Sequence, residues 1–346
     1  MVNSMNKNKE KHPYYDPAPL LSRNGTYNFV VGGRGIGKTF AFKRKAIRDY
    51  LKHGHEFIVL RRYSTEQGSR HAFFDDMLRF FPKYDFRVFG MYGQISHVDF
   101  RDEKKRPWQT ICYFASLSTA QQKKSTPYPN VHTIIFDEFI IEKGNMVYLK
   151  DEFTAFNNFY STVDRYQDRV KVFFLANSVS IMNPYFLELE LIPEEGKEFY
   201  TRSDGFVVAQ FPDNDEFSAS VYQTRFGKFI ENTEYAKYAV ENEFEDNEPT
   251  MLAIKDSRAK YVFTLETRTG VFSVWYSLSR ATFFVQTKRP RKEIFYTLEP
   301  DKMSEEKLLL LRNEKLLQTV KTAFRQGRMM FDKTTTRNAF IEIFRR

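Results

Sequence analysis

The residues best suited to chemistry stand side by side in Gly32-Gly33-Arg34-Gly35-Ile36-Gly37-Lys38-Thr39, which fits G-x-x-x-x-G-K-[ST]. The chemistry this spacing serves is the gripping of a polyphosphate. Glycines let backbone N–H groups turn inward onto phosphate oxygens with no side chain in the way. Lys38 is placed to reach the β- and γ-phosphates, and the Thr39 hydroxyl is a ligand for Mg²⁺. A helix starting at the end of the loop adds unbonded N–H groups and a partial positive charge. The whole run Gly32 to Thr39 is therefore assigned to nucleotide binding, with ATP and Mg²⁺ as cofactors.

A second constellation lies about a hundred residues on, in Thr133-Ile134-Ile135-Phe136-Asp137-Glu138-Phe139. An apolar run ending in two acids predicts a buried parallel strand that presents carboxylates at its C-terminal end. Buried strands rarely end this way for packing, because unpaired buried charge is costly. Asp137 is the expected Mg²⁺ ligand beside Thr39. Glu138 is the expected general base that polarises the attacking water. A third strand, Val170 to Ala176, closes in Asn177-Ser178, and Asn177 is read as a γ-phosphate sensor in preference to a strand cap. Arg165 and Arg169 are both candidates for an arginine finger that enters a neighbouring subunit's site, or for pairing with Asp164 or Asp168. Arg61 and Arg62, ending the apolar run Glu56 to Leu60, either touch the nucleotide or form the solvated end of a strand.

These side chains need elements to hold them. Tyr27 to Val31 reads as the strand into the phosphate loop and Thr39 to about Lys52 as the helix out of it. Residues 66–82 are expected to be helical, burying Phe73, Phe74, Leu78 and Phe81. Tyr84 to Tyr113 alternates apolar and polar residues, with strand signals at 87–89, 98–100 and 111–114 and a turn signal at 102–107, which predicts a hairpin or small antiparallel insert. The polar stretch Ser116 to Pro129 carries Lys123 and Lys124, candidates for gripping a phosphate backbone. Glycines and prolines across 193–230 read as a connector. Strand signals at 260–265, 270–276 and 281–285 follow. Helices are expected over Ser304–Gln318, Val320–Gln326 and Thr335–Arg345. Lys288, Arg289, Arg291 and Lys292 form a basic stripe that would bind phosphates.

Composition narrows the classes. A chain of 346 residues with 36 Phe can bury two cores and is not an extended disordered chain. One cysteine, Cys112, excludes an internal disulfide and a cysteine-rich zinc site, and points to a reducing compartment. No apolar run reaches the length of a membrane span, and the polar first 16 residues do not read as a signal peptide. A net charge of +9 favours a polyanionic partner.

Several stretches resemble, in order, the signatures of the genome-packaging ATPases of small tailed bacteriophages of the Picovirinae type. They are Phe29 to Lys38, Arg61-Arg62-Tyr63, Tyr128-Pro129-Asn130-Val131 running into Ile135 to Ile140, and Asn183-Pro184-Tyr185-Phe186. Thr224-Arg225-Phe226-Gly227 and Thr233-Glu234-Tyr235 complete the set. The resemblance implies an α/β chain. An N-terminal arm over 1–25 precedes an ASCE-type P-loop ATPase domain with a parallel central sheet over 26–200. A small linker over 201–235 leads to an α+β, RNase H-like C-terminal domain over 236–346. It implies an ATP-driven translocase for double-stranded DNA, working as a homomeric and usually pentameric ring. That ring would sit at the capsid portal in the host cytoplasm, with a structural packaging RNA as a further partner. By position, the resemblance selects Arg165 as the finger. The C-terminal stretch offers Glu266 and scattered acids such as Asp301 and Asp332, so an expected nuclease-like fold binds nucleic acid without cutting it. The rival readings are a terminase with an active nuclease and a nucleotide-gated scaffold.

Overall fold

The computed structural model describes residues 14–345 except 101, 103–104, 121–127, 142–147, 150, 180–182, 190, 192, 194–196, 213–214, 234, 237–239, 241–250, 268–269 and 312–313. Lys123, Lys124 and the acidic stretch 241–248 fall outside the described residues. The chain divides into two units, residues 1–180 with 193–244, and residues 181–192 with 245–346.

In the first unit nine strands form one sheet. They are β1 (Tyr27–Gly32), β2 (Glu56–Arg61), β3 (Tyr84–Phe89), β4 (Tyr92–His97), β5 (Gln109–Ser116), β6 (Val131–Asp137), β7 (Lys171–Asn177), β8 (Phe199–Arg202) and β9 (Val207–Gln210). Their order is β3-β4-β5-β2-β6-β7-β1-β9-β8. The strands from β5 to β9 in that order run parallel, and β3, β4 and β8 are antiparallel additions at the edges. Sheets covered on both faces favour continuous apolar strands, and Val30, Val31, Ile134, Ile135, Phe173 and Phe174 are accordingly buried. The topology places β7 between β1 and β6, so one end of the sheet gathers Gly32, Asn177 and Asp137.

Three expectations change here. Residues 66–82 are not one helix but 3₁₀ turns over Ser64–Ala72 and Leu78–Phe80. The turn between them keeps i to i+3 hydrogen bonds, Asp75 N–H to the Ala72 carbonyl and Met77 N–H to that of Phe74, so Phe74 and Met77 share a face and are buried while Leu78 is 44% exposed. The predicted antiparallel insert is continuous with the main sheet, because β5 pairs antiparallel with β4 and parallel with β2. Its middle strand is Tyr92–His97, ahead of the predicted 98–100. The stretch read as a connector contributes β8 and β9, hydrogen-bonded beside β1. The described end of the arm, from Tyr14 on, packs against this unit: Leu20 is buried, and the Tyr15 N–H donates to the Ile36 carbonyl at 2.8 Å.

The second unit holds a sheet of β10 (Lys260–Glu266), β11 (Val271–Ser277), β12 (Thr282–Gln286), β13 (Phe295–Thr297), β14 (Lys307–Leu309) and β15 (Met329–Phe331). The order is β14-β13-β10-β11-β12-β15, with β10, β11 and β12 antiparallel and the other three joining in parallel. The helix Lys315–Arg325 covers a core that includes Phe272, Val274, Leu317, Val320, Phe331 and Phe340. The helix expected from Ser304 is replaced by β14, and the two predicted helices merge into Lys315–Arg325. A three-residue strand carries no period to read, and pairing with β13 decides its conformation. The helix expected over 335–345 is Thr334–Phe340 followed by a 3₁₀ turn.

Candidate nucleotide site

The loop after β1 reverses through Gly35 and Gly37, at φ +82° and +89°, a region that glycine enters without strain. The helix Lys38–His53 starts directly from Gly37, with no side chain capping it and no acid in its first turn. A helix start of this kind favours an anion. At its other end, Gly54 closes the helix with an N–H donated to the Tyr50 carbonyl, and Lys52 and His53 sit in the last turn. The Lys38 ammonium donates to the carbonyls of Gly32 at 2.9 Å and Gly33 at 2.8 Å, and to Asn177 Oδ1 at 3.1 Å. Asn177 thus sits against the phosphate-loop lysine.

Thr39 Oγ1 donates to Asp137 Oδ1 at 3.1 Å, joining two side chains 98 positions apart in sequence. Burial raises the Asp137 carboxyl above its ordinary value and neighbouring Glu138 adds to this, while Arg61, Thr39 and Lys38 oppose it. A hydroxyl and a carboxylate whose charge is disfavoured by burial are a donor set suited to a hard cation. Thr39 and Asp137 therefore fit Mg²⁺.

Arg61 occupies the same place. Its Nη2 lies 3.2 Å from Asp137 Oδ2 and its Nη1 lies 2.7 Å from Glu138 Oε2. Glu138 takes a backbone φ of +59°, a conformation that costs a non-glycine residue on the order of 1–3 kcal/mol. Strained backbone of this kind concentrates where a side chain must be aimed. By sequence Arg61 and Arg62 are equivalent, and the structure separates them. Arg62 is wholly buried, with Nε 2.8 Å and Nη2 3.0 Å from the two oxygens of buried Glu152, and it donates to the Phe139 carbonyl at 2.6 Å. Neither the solvated strand end nor a nucleotide contact describes Arg62. Its outward neighbour had one legible signal, alternation: side chains on adjacent strand positions point to opposite faces.

Arg165 and Arg169 also part. Arg169 donates to the carbonyls of Tyr128 at 2.9 Å and Val163 at 2.7 Å, and to that of Val131. Arg165 is exposed, in left-handed backbone at φ +54° where the helix Glu152–Asp164 ends. The turn that displays it is organised by the buried Asp164 carboxylate, which accepts N–H groups from Gln167, Asp168, Arg169 and Val170 at 2.9–3.1 Å. In the second unit, an acid stands directly beside the basic stripe. Arg289 pairs with Glu293 through Nε at 2.8 Å and also through Nη2, and it stacks on Phe295. Lys288, Arg291 and Lys292 are exposed.

Residues 9–346 match the model of the podovirus DNA encapsidation protein (Gp16) family. The chain is 34% identical to the DNA packaging protein of Bacillus phage phi29 over 340 residues, 97% of this chain and 98% of that protein. The packaging protein of Bacillus phage B103 is 33% identical over 331 residues, covering 94% and 99% respectively. Among solved structures, a chain of the phi29 viral genome packaging motor assembly aligns with 96% of this chain and 99% of its own length at 33% identity, with a TM-score of 0.58. The N-terminal domain of the phi29 DNA packaging ATPase aligns with 59% of this chain and 98% of its own length at 37% identity, with a TM-score of 0.52.

Proposed function

This chain belongs to the podovirus DNA encapsidation protein family, and from that premise we propose how its site drives packaging. It is a phage DNA-packaging motor ATPase that acts at the portal. The observation that carries the reading is the meeting of Lys38, Asn177, Thr39 and Asp137 at one end of the sheet, with Glu138 next in the chain.

Loop N–H groups and Lys38 bind the phosphates, and Asn177 holds the ammonium in register. Thr39 and Asp137 would hold Mg²⁺, which when bound neutralises charge on the phosphate oxygens. Glu138 accepts the proton of the attacking water. Arg61 engages one oxygen of that carboxylate at 2.7 Å, and in this reading the pair opens to release Glu138 toward the water. Arg165, displayed on a turn fixed by Asp164, completes the site of a neighbouring subunit, where such a finger raises turnover by about 10³–10⁵. Turnover accordingly depends on assembly into a homomeric ring, pentameric in this reading, around double-stranded DNA in the host cytoplasm. A structural packaging RNA is a further partner.

The second unit is read as an RNase H-like domain that binds nucleic acid. Its antiparallel β10-β11-β12 meander with β13 and β14 added in parallel beside β10 supports this. Lys288, Arg291 and Lys292 supply phosphate contacts there, and Lys123 and Lys124 supply them in the first unit. Cleavage is not part of the reading, because Glu266 at the end of β10 is held by Lys307 at 2.9 Å and Lys302 at 3.5 Å.

The test is steady-state ATP hydrolysis with and without long duplex DNA across a salt series. Stimulation that fades as salt rises supports the translocase, since phosphate contacts release counterions. Turnover indifferent to DNA sinks it.

A further inference from the structure

Two aromatic rings flank the phosphate loop and have no part in the mechanism above. Tyr14 comes from the arm and Phe217 from the helix Asp215–Tyr222, yet both reach the same glycines. The Tyr14 ring lies 3.7 Å from where a Cβ on Gly37 would stand, and the tip of Phe217 lies 3.5 Å from the equivalent point on Gly35. Their centroids are 6.3 Å apart and the planes are inclined at 52°, so the rings form an open wedge and do not stack on each other. Tyr14 remains 63% exposed.

The arm holds Tyr14 in this place firmly. Its neighbour Tyr15 donates its N–H to the Ile36 carbonyl at 2.8 Å and its hydroxyl to Gln210 Oε1 at 2.8 Å, and packs its ring 5.9 Å from that of Phe42. The Ala18 N–H donates to Asp16 Oδ1 at 3.0 Å, and Leu20 is fully buried. A short segment is thus pinned to the loop by its second residue while its first presents a ring to solvent. Apolar ring surface left in water at the rim of a ligand loop is unfavourable unless something covers it.

We infer that Tyr14 and Phe217 form the base subsite of the nucleotide, gripping its flat heteroaromatic ring while the loop holds its phosphates. The inference rests on the ATPase reading and names the part of that site which no loop residue supplies. The loop recognises phosphate oxygens through N–H groups and Lys38, and these cannot distinguish a nucleotide from an inorganic polyphosphate. A wedge of two rings can, because stacking engages the π-face that only the base carries.

The experiment compares two ligands that differ by the adenosine moiety, ADP and inorganic pyrophosphate, by equilibrium binding to the full chain. Tyr14→Ala and Phe217→Leu are each expected to weaken ADP between about fivefold and a hundredfold, the effect of losing one base–aromatic stack. Pyrophosphate binding stays within about twofold of wild type, as follows from its binding through the phosphates alone. Tyr14→Trp restores ADP affinity, and the new indole reports ADP by a change in fluorescence that pyrophosphate does not produce. Tyr14 is at the surface, so its variants fold. Unchanged ADP affinity, or equal weakening of both ligands, overturns the base subsite and leaves the ATPase reading standing. Wild-type protein that binds neither ligand overturns both.

Discussion

Each unit ends a strand in an acid, and the two acids have opposite surroundings. Asp137 closes β6, and burial raises its carboxyl while Arg61, Thr39 and Lys38 pull the other way. Glu266 closes β10, and Lys307 first, then Lys302, lower its carboxyl, so its charge is already matched. The first acid is surrounded by groups with competing claims, and a cation would resolve them. The second has nothing left to offer. Position at a strand end therefore does not mark a candidate functional acid, whereas unresolved electrostatics around it does.

The largest effects should separate the two ends of this comparison. Arg165→Ala is expected to reduce turnover of the assembled protein by about 10³–10⁵ with nucleotide affinity little changed. Mixing it with wild-type subunits should give activity that depends on the ratio, as a finger acting in a neighbour's site requires. Glu138→Gln should cost about 10²–10⁴ in turnover, the range for removing a general base, with ADP still bound. Glu266→Gln should leave turnover at the wild-type rate. If Glu266→Gln silenced hydrolysis and Glu138→Gln did not, the contrast between the two acids would be inverted.

Glu152 sharpens the comparison from within the first unit. It is a buried acid paired with Arg62 that also accepts the Leu149 N–H at 2.8 Å, and so belongs with Glu266 despite lying close in sequence to Glu138. Arg62→Ala is expected to lower unfolding stability by about 3–5 kcal/mol in a denaturant titration, because Glu152 is left charged and buried. Arg61→Ala should cost little stability and instead change turnover.

How much of this was legible depends on the distance over which each feature is decided. The phosphate loop was readable because its glycines, lysine and threonine act through local backbone. The strand end at Asp137-Glu138 was readable because a buried apolar run rarely ends in two acids for packing. Arg61 against Arg62 was not, since the choice depends on Asp137, Glu138 and Glu152, lying 76 to 90 positions away. Arg165 against Arg169 was undecided by spacing, because the carbonyls of Tyr128 and Val131 that hold Arg169 belong to a distant turn and strand. The packing of the arm was not legible for the same reason: its anchors, Ile36 and Gln210, are supplied by other elements.

The basic stripe gives a smaller effect. Replacing Lys288, Arg291 and Lys292 together by alanine should reduce the salt dependence of DNA binding by about 0.9 for each phosphate no longer neutralised, measured as the slope of log affinity against log salt. Arg289→Ala alone should change it less, since Glu293 already occupies that guanidinium. Equal slopes for both variants would make the distinction between paired and unpaired cations on this surface irrelevant to DNA.

The smallest effect concerns Glu266 itself. Its folded carboxyl titrates below the ordinary value of 4.5, chiefly through the hydrogen bond from Lys307. A group lowered in the folded state stabilises at pH above its unfolded value, and that stabilisation is lost as pH falls through the folded one. Lys307→Met should therefore be less stable than wild type at neutral pH, by on the order of 1 kcal/mol or less for a partly exposed pair. The gap should close on acidification below 4.5. Thermal melts of both proteins across that range test the sign. A gap that stayed unchanged in acid would mean that Lys307 acts through packing against Phe295, which its ammonium also faces at 5.0 Å, and not through the charge of Glu266.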